Sequence, residues 1–131
     1  MGVIVTEPKP VVSSHRNRRL QKRYPLPADA AAVLRFRHPA PDGPAYATPV
    51  RDVSLSGLSL LLPCEIPALQ VGVIIHGVEA EIAGRAFRGD LLPMHLTPGN
   101  FGGSACGGLF YPESDEDLIT IRLVVRSLEH S

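Results

Sequence analysis

Two short motifs in the sequence combine residue types that are suited to binding a planar anion. The first is Arg19-x-x-x-Arg23, in which each guanidinium offers a flat fork of hydrogen-bond donors. The second is Asp52-x-Ser54-x-x-Gly57, which lies between the apolar runs of "VRDVSLSGLSLLLP". Aspartate and serine also form ordinary tight turns through their own side chains. The second motif therefore has two interpretations, a hairpin turn alone or a turn that contacts a ligand.

The two motifs differ in how often composition alone would produce them. The arginine content gives about one pair at this spacing by chance, and a second pair, Arg122-x-x-x-Arg126, is present. The aspartate–serine–glycine pattern is expected only about 0.04 times. The second motif is therefore the more informative, and the arginine pair gains weight from its position upstream of it.

The sequence contains no catalytic or metal-binding pattern. In "GGSACGG", Cys106 stands where a nucleophile elbow needs its second glycine, and the stretch lacks the Gly-Lys-Ser/Thr of a P-loop. No nucleophile is paired with a base, so we expect no enzyme activity. The histidines lack the paired spacing of a zinc site, so we expect no bound metal. They are His15, His38, His76, His95 and His130.

The composition is typical of one cytoplasmic domain. The 131 residues are 44% apolar, enough to form one core. The net charge is zero, which favours neither a nucleic-acid partner nor an anionic membrane surface. The apolar run near the start, residues 3–5, is far too short for membrane insertion. Cys64 and Cys106 lack redox-motif spacing, which indicates reduced, buried thiols in the cytoplasm.

The pattern of polar and apolar residues predicts a mostly β structure. Residues 1–14 are expected to be a flexible leader, and residues 15–27 an extended basic arm that ends in "YPLP". Between residues 31 and 112, short alternating segments are separated by turns rich in glycine and proline. They predict six strands in an antiparallel barrel or sandwich. The segments are "AAVLRFRH", "YATPVRDVS", "LSLLLP", "VGVIIHGVEAEIAG", "RAFRGDLLPMHL" and "GGSACGGLFYP".

The last segment, residues 114–128, fits two structures. Its apolar residues alternate as in a strand, but they also recur at helical spacing between Leu118 and Leu128. Ser114 and Asp117 resemble a capping box, and acidic residues crowd the first turn. We therefore predict a helix.

The order and separation of the two motifs resemble the PilZ domain, a bacterial module that binds cyclic di-GMP. The similar region runs from about Arg16 to Leu128 and includes "RRLQKRYPLPADAAAVLRF", "VRDVSLSGLSLLLP" and "GGLFYP". The resemblance implies a six-stranded antiparallel β-barrel with a C-terminal α-helix, which agrees with the strand count. We therefore expect a PilZ domain over residues 15–131, with the arm at 15–27, the barrel at 31–112 and the helix at 114–128.

The resemblance also implies a role for each motif residue. Arg19 and Arg23 would bind the guanine edges and phosphates of cyclic di-GMP, because an arginine fork matches the O6 and N7 acceptors of guanine. Asp52 would accept hydrogen bonds from the guanine N1–H and amino group. Ser54 would bond either the ligand or the turn. Gly57 would permit a positive φ or a close backbone approach.

Two further features concern the neighbours of the motifs. By the same resemblance, Arg18 would accompany an intercalated pair of ligands, so we expect two nucleotides per protomer. Ser56 is a small departure, since many PilZ domains have glycine at that position. We expect the arm to be mobile without ligand and to fold over the nucleotide when it binds.

The preferred function is a cyclic di-GMP receptor that needs no other cofactor and has no output domain on this chain. It would signal by contact with an unidentified protein, such as motility, pilus or exopolysaccharide machinery. The first alternative is a PilZ-like adaptor that binds no nucleotide. The second is a small barrel that binds RNA or single-stranded DNA. Such proteins interleave aromatic residues with positive charge, whereas Tyr24 is the single aromatic residue near the basic cluster.

Overall fold

The computed structural model describes residues 22–27, 31–39, 41–63, 66–67, 69–98 and 103–129. These residues form seven β-strands and one α-helix. The strands are β1 (Tyr24–Pro25), β2 (Ala32–Arg37), β3 (Ala45–Val53), β4 (Gly57–Leu62), β5 (Ile75–Ile82), β6 (Arg85–Pro98) and β7 (Ser104–Pro112), and the helix is α1 (Asp115–Glu129). The six predicted segments correspond to β2 through β7.

Strands β2 to β7 close into an antiparallel barrel in the order β3-β2-β5-β6-β7-β4, and β4 pairs back with β3. This architecture confirms the predicted six-stranded barrel. The two-residue strand β1 was not predicted as a strand. It pairs with β3 at Tyr24↔Val53 and Pro25↔Asp52, beyond the last β2 pair at Val33↔Pro49. At these positions β4 pairs with one edge of β3. Strand β1 therefore pairs with the opposite edge of β3, beyond the point where the pairing with β2 ends.

The alternation read from the sequence determines which side chains fill the barrel. In β2, Leu34 and Phe36 are buried while Arg35 and Arg37 are exposed, as period-two alternation requires. Phe87 and Phe110 meet edge to face inside, with ring centroids 5.3 Å apart. The largest fully buried side chains are Phe87, Leu34, Leu58, Leu60, Ile75, Ile82, Leu91, Val53, Val78, Val124, Pro93 and Cys106.

The C-terminal segment is a helix, as predicted, and its start is capped by side chains. The hydroxyl of Ser114 accepts a hydrogen bond from the backbone N–H of Asp117 at 3.2 Å, which satisfies one of the free donors of the first turn. The carboxylate of Asp117 also accepts the backbone N–H of Arg88 on β6 at 2.8 Å. The inner face buries Ile121, Val124 and Val125. No helix in the described part of the chain is long and apolar enough to cross a membrane.

Candidate ligand-binding site

Asp52 lies where three strands meet. Its backbone pairs with Pro25 on β1 and with Ser59 on β4, so it lies between two other chain segments. The side chain is 16% exposed, which leaves it within reach of solvent while its position is fixed by the ladders on both sides. This strand junction therefore holds one negative charge at the surface of the barrel.

The guanidinium of Arg23 contacts that carboxylate directly. Its Nη1 atom donates to Asp52 Oδ1 at 3.1 Å and to Ser59 Oγ at 3.0 Å. The side chain of Arg23 is 49% exposed, so part of the guanidinium faces solvent. The two sequence motifs therefore meet through Arg23 and Asp52, although 29 residues separate them.

A second arginine approaches the other oxygen of the same carboxylate. The Nε atom of Arg51 lies 3.5 Å from Asp52 Oδ2. Neighbouring residues on a regular strand point to opposite faces, but the β3–β4 register shifts between Val50 and Asp52, which leaves Arg51 as the extra residue of a bulge. With two guanidinium groups beside one carboxylate, this cluster has a net positive charge and is electrostatically suited to an anionic ligand.

The turn between β3 and β4 is organised by the side chain of Ser54. Its buried hydroxyl accepts the backbone N–H groups of Ser56 at 3.3 Å and Gly57 at 3.2 Å. The backbone N–H of Ser54 in turn donates to the carbonyl of Gly57 at 3.0 Å. Of the two roles proposed for this serine, the hydrogen bonds within the turn are the ones present in the structure.

Gly57 is buried because β4 and β7 approach each other closely at this point. A Cβ atom on Gly57 would lie 2.3 Å from the carbonyl oxygen of Gly108, which no real side chain tolerates. The neighbouring carbonyl of Ser56 accepts the N–H of Phe110 at 2.8 Å, so the turn is fixed to β7. Close backbone approach is therefore a sufficient reason for glycine at position 57.

Next to Arg23, the arm contacts the end of the helix. The hydroxyl of Tyr24 donates to Glu129 Oε2 at 3.1 Å. Desolvation, this hydrogen bond and the negative charge of Glu129 together raise the pKa of Tyr24. The ammonium of Lys22 lies over the ring, 5.5 Å from the centroid of Tyr24, within cation–π distance. Tyr24 therefore connects the segment that holds Arg23 to α1.

The described residues contain only part of the predicted site. Arg18 and Arg19 lie outside them, as do the predicted leader and most of the predicted arm. The sequence analysis overlooked Ser59 and Arg51, which both contact the Arg23–Asp52 pair. Ser59 had a detectable signal, because it is a polar residue within the apolar run of β4. In the structure its exposed fraction is 2%. Arg51 had no such signal, because the alternation of polar and apolar residues in the sequence does not reveal a bulge.

Comparison with known proteins identifies the fold. No family model matches the sequence, and no curated protein matches it. Among solved structures, MrkH from K. pneumonia in complex with c-di-GMP matches with a TM-score of 0.74 and 19% identity, over 86% of this chain and 52% of MrkH. The PilZ domain of YcgR from Escherichia coli with c-di-GMP matches with a TM-score of 0.69 and 18% identity, over 86% of this chain and 92% of that domain.

A third neighbour is the inhibitor of motility MotI/DgrA from Bacillus subtilis. It matches with a TM-score of 0.63 and 11% identity, over 87% of this chain and 53% of MotI. The chain thus spans about half the length of MrkH and MotI and nearly all of the YcgR domain. These likenesses, together with the closed barrel and terminal helix, show that the chain has the fold of a PilZ domain.

Proposed function

We propose that this PilZ-type domain is a receptor for cyclic di-GMP. The nucleotide binds between the Arg19–Arg23 arm and the Asp52–Gly57 turn, undergoes no reaction there, and changes the surface that a partner protein contacts. The observation that supports this most directly is the Arg23–Asp52 contact of 3.1 Å, since it brings one residue of each motif to the same point.

The chemistry of the cluster fits a guanine nucleotide. An arginine fork can donate two parallel hydrogen bonds to the O6 and N7 atoms of guanine, and its flat face can stack on the base. The carboxylate of Asp52 accepts the N1–H and amino donors on the other edge. Arg19 and Arg23 also neutralise the phosphates, and Arg18 contacts a second, intercalated nucleotide.

Ligand binding rearranges the Arg23–Asp52 pair at little cost. An ion pair with one partner half exposed contributes about 1 kcal/mol or less to stability, because water screens it. A guanine that donates to Asp52 replaces the hydrogen bond of Arg23 and the ion pair of Arg51 at this carboxylate, and it frees Arg23 for the base or phosphate. The pair therefore keeps an arginine of one motif beside the aspartate of the other, where the proposed ligand would contact both.

The structural neighbours support the choice of ligand. MrkH and the YcgR PilZ domain are both described in complex with c-di-GMP. MrkH is also described as a c-di-GMP-dependent transcription regulatory factor, so the expectation that this chain has no nucleic-acid partner stays a prediction. The expected cytoplasmic location and the expected protein partner also stay predictions.

The test is isothermal titration of the protein with cyclic di-GMP, with GTP and cyclic di-AMP as competing controls. We expect saturable binding of cyclic di-GMP alone, and two nucleotides per protomer if Arg18 acts as proposed. Arg19→Ala and Arg23→Ala should each remove detectable binding. The matched control is Arg122→Ala with Arg126→Ala, which has the same spacing on the exposed face of α1.

The outcome separates the receptor from the adaptor. Binding of the Arg19→Ala protein within about threefold of the parent would contradict the site, because a lost charge-assisted contact should weaken affinity by tenfold or more. No binding by the parent at high micromolar ligand would instead favour the PilZ-like adaptor that acts by protein contact alone.

A further inference from the structure

A concave surface lies at the end of β3 that is distant from Asp52. It encloses about 570 Å³, which is within the range of small-molecule sites. Arg35, Arg37, Arg88 and Tyr46 are among its walls. None of the described residues of the two sequence motifs lines it. Its residue Ala47 is five positions from Asp52 along β3, which corresponds to about 16 Å at the usual rise of a strand.

The depression exists because small residues form its floor. Ala45 and Ala47 on β3 pair with Arg37 and Arg35 on β2, so the long side chains rise beside short ones. On the other side, the register between β5 and β6 shifts at Gly77, which has a φ of +68° and open space where a side chain would lie. Alternating small and long side chains in this register leave a recess on the surface of the barrel.

Hydrogen bonds fix the rim of this recess on β5. The carboxylate of Asp90 accepts the backbone N–H of Gly77 at 3.1 Å, and its other oxygen lies 3.2 Å from Nδ1 of His76. His76 and Gly77 both line the recess. One carboxylate therefore holds the irregular part of β5 in a defined conformation, which gives the rim of the recess a defined shape.

Among the described residues, one of the three arginines of the recess has no carboxylate partner. Three guanidinium groups and the carboxylate of Glu79 line the recess, and the carboxylate of Asp90 holds its rim. Arg88 lies 3.7 Å from Glu79, and Arg35 lies 3.2 Å from Glu81 at the edge. Arg37 differs, because its Nη1 atom donates to the neutral carbonyl of Gly43 at 3.0 Å. That contact fixes the guanidinium and leaves its positive charge to attract a ligand.

Two aromatic residues lie behind the alanine floor of the recess. Phe36 and Tyr46 face each other across β2 and β3, with ring centroids 5.6 Å apart and planes tilted by 31°. Both line the recess, and Tyr46 is only half-buried. Because successive side chains of a strand point to opposite faces, a flat ring laid on the Ala45–Ala47 floor would lie beside the side chains of Arg35 and Arg37, and a charged group on the ring would reach Arg37.

We propose that this recess binds a small organic anion with a flat ring, at a site separate from the proposed nucleotide site. The anionic group is a carboxylate or a phosphate held by Arg37, and the ring packs on the alanine floor beside the side chain of Arg35. The recess shares no described residue with the two motifs, so it should bind the ring anion whether or not the domain binds cyclic di-GMP.

Binding is tested by amide chemical shifts of the full chain during titration with four probes. Benzoate and guanosine 5′-monophosphate carry a ring with a carboxylate or a phosphate, benzamide carries a neutral ring, and acetate carries a charge without a ring. We expect benzoate, guanosine 5′-monophosphate or both to shift the amides of Ala45, Ala47 and Gly77 at about 1 mM, with benzamide and acetate at least about tenfold weaker. The stronger of the two ring anions identifies the charged group.

Variants separate this site from the nucleotide site. Arg37→Gln should weaken binding of the ring anion by about tenfold, and Ala47→Leu should fill the floor and remove binding. The exposed control Arg122→Gln should leave the affinities for the ring anion and for cyclic di-GMP unchanged. Arg23→Ala should leave the ring anion unaffected, and Arg37→Gln should leave cyclic di-GMP unaffected. Equal binding of benzamide and benzoate, an Arg37→Gln affinity within twofold of the parent, or no shifts at about 5 mM probe would each overturn the proposal.

Discussion

The Nη1 atom of Arg23 lies 3.1 Å from Asp52 Oδ1 and 3.0 Å from the hydroxyl of Ser59. One guanidinium thus joins the end of the arm to two adjacent strands of the barrel. Asp52 has a second cation, Arg51, at its other oxygen. A ligand that uses this carboxylate must therefore displace both cations, and the proposed nucleotide site also needs Arg23, so the same contacts affect both folding and binding.

Asp52→Asn should separate these two effects. We expect it to weaken cyclic di-GMP binding by at least about tenfold, because the amide replaces an acceptor oxygen with a donor that opposes the guanine amino group. Stability should fall by only about 1 kcal/mol, since Arg23 is half exposed. Titration calorimetry measures the first effect and urea unfolding the second.

Glu81→Gln is the matched control for this substitution. It removes an exposed ion pair of similar length, Arg35–Glu81 at 3.2 Å, on another part of the barrel. It should leave nucleotide affinity unchanged. An Asp52→Asn protein that bound cyclic di-GMP within about threefold of the parent would show that the carboxylate does not contact the guanine.

Ser54→Ala should destabilise the protein by about 1–3 kcal/mol, because two backbone N–H groups at the turn lose their buried acceptor. Ser127→Ala is the control, since its hydroxyl only donates to a helix carbonyl, that of Val124, and should matter by less than about 0.5 kcal/mol. Urea unfolding of both variants gives the comparison. Equal, small losses would show that water replaces the hydroxyl in the turn.

The sequence predicted the elements of this fold better than the contacts between them. Strands β2 to β7 and the helix could be predicted because alternation, turn residues and the Ser114–Asp117 cap are local properties. The position of Ser59 opposite Asp52 could not, because it depends on the register of two strands. Arg51 reaches Asp52 only through a bulge. The recess beside Arg37 likewise depends on which short residues pair with long ones.

Gly57 and Gly84 allow two physical reasons for glycine to be compared. Gly57→Ala should cost several kcal/mol, because the new methyl group meets a backbone carbonyl at 2.3 Å and must separate β4 from β7. Gly84→Ala should cost about 1–2 kcal/mol, because the residue has a φ of +80° but open space around it. Urea unfolding measures both. A Gly57→Ala protein as stable as Gly84→Ala would mean that β7 moves aside easily.

The thiol of Cys106 should make stability depend on pH under alkaline conditions. Burial raises its pKa from 9.0 to about 11, so the folded state keeps a proton that the unfolded state has released. The corresponding stability is present below pH 9 and is lost as the pH rises from 9 to 11. A shift of this size corresponds to about 3 kcal/mol.

Cys106→Ala tests this dependence. Urea unfolding at several pH values between about 7 and 11 should give a parent whose stability falls more steeply above pH 9 than that of the variant. Tyr24 also has a raised pKa, so the comparison is repeated with Tyr24→Phe in both proteins to remove its contribution. The variant itself loses some stability at neutral pH from the space left by the sulfur, but that loss does not vary with pH. If the free energies of unfolding of parent and variant changed in parallel with pH, the thiolate would form in the folded barrel as readily as in the unfolded chain. That result would mean that water reaches Cys106 between β4, β6 and β7.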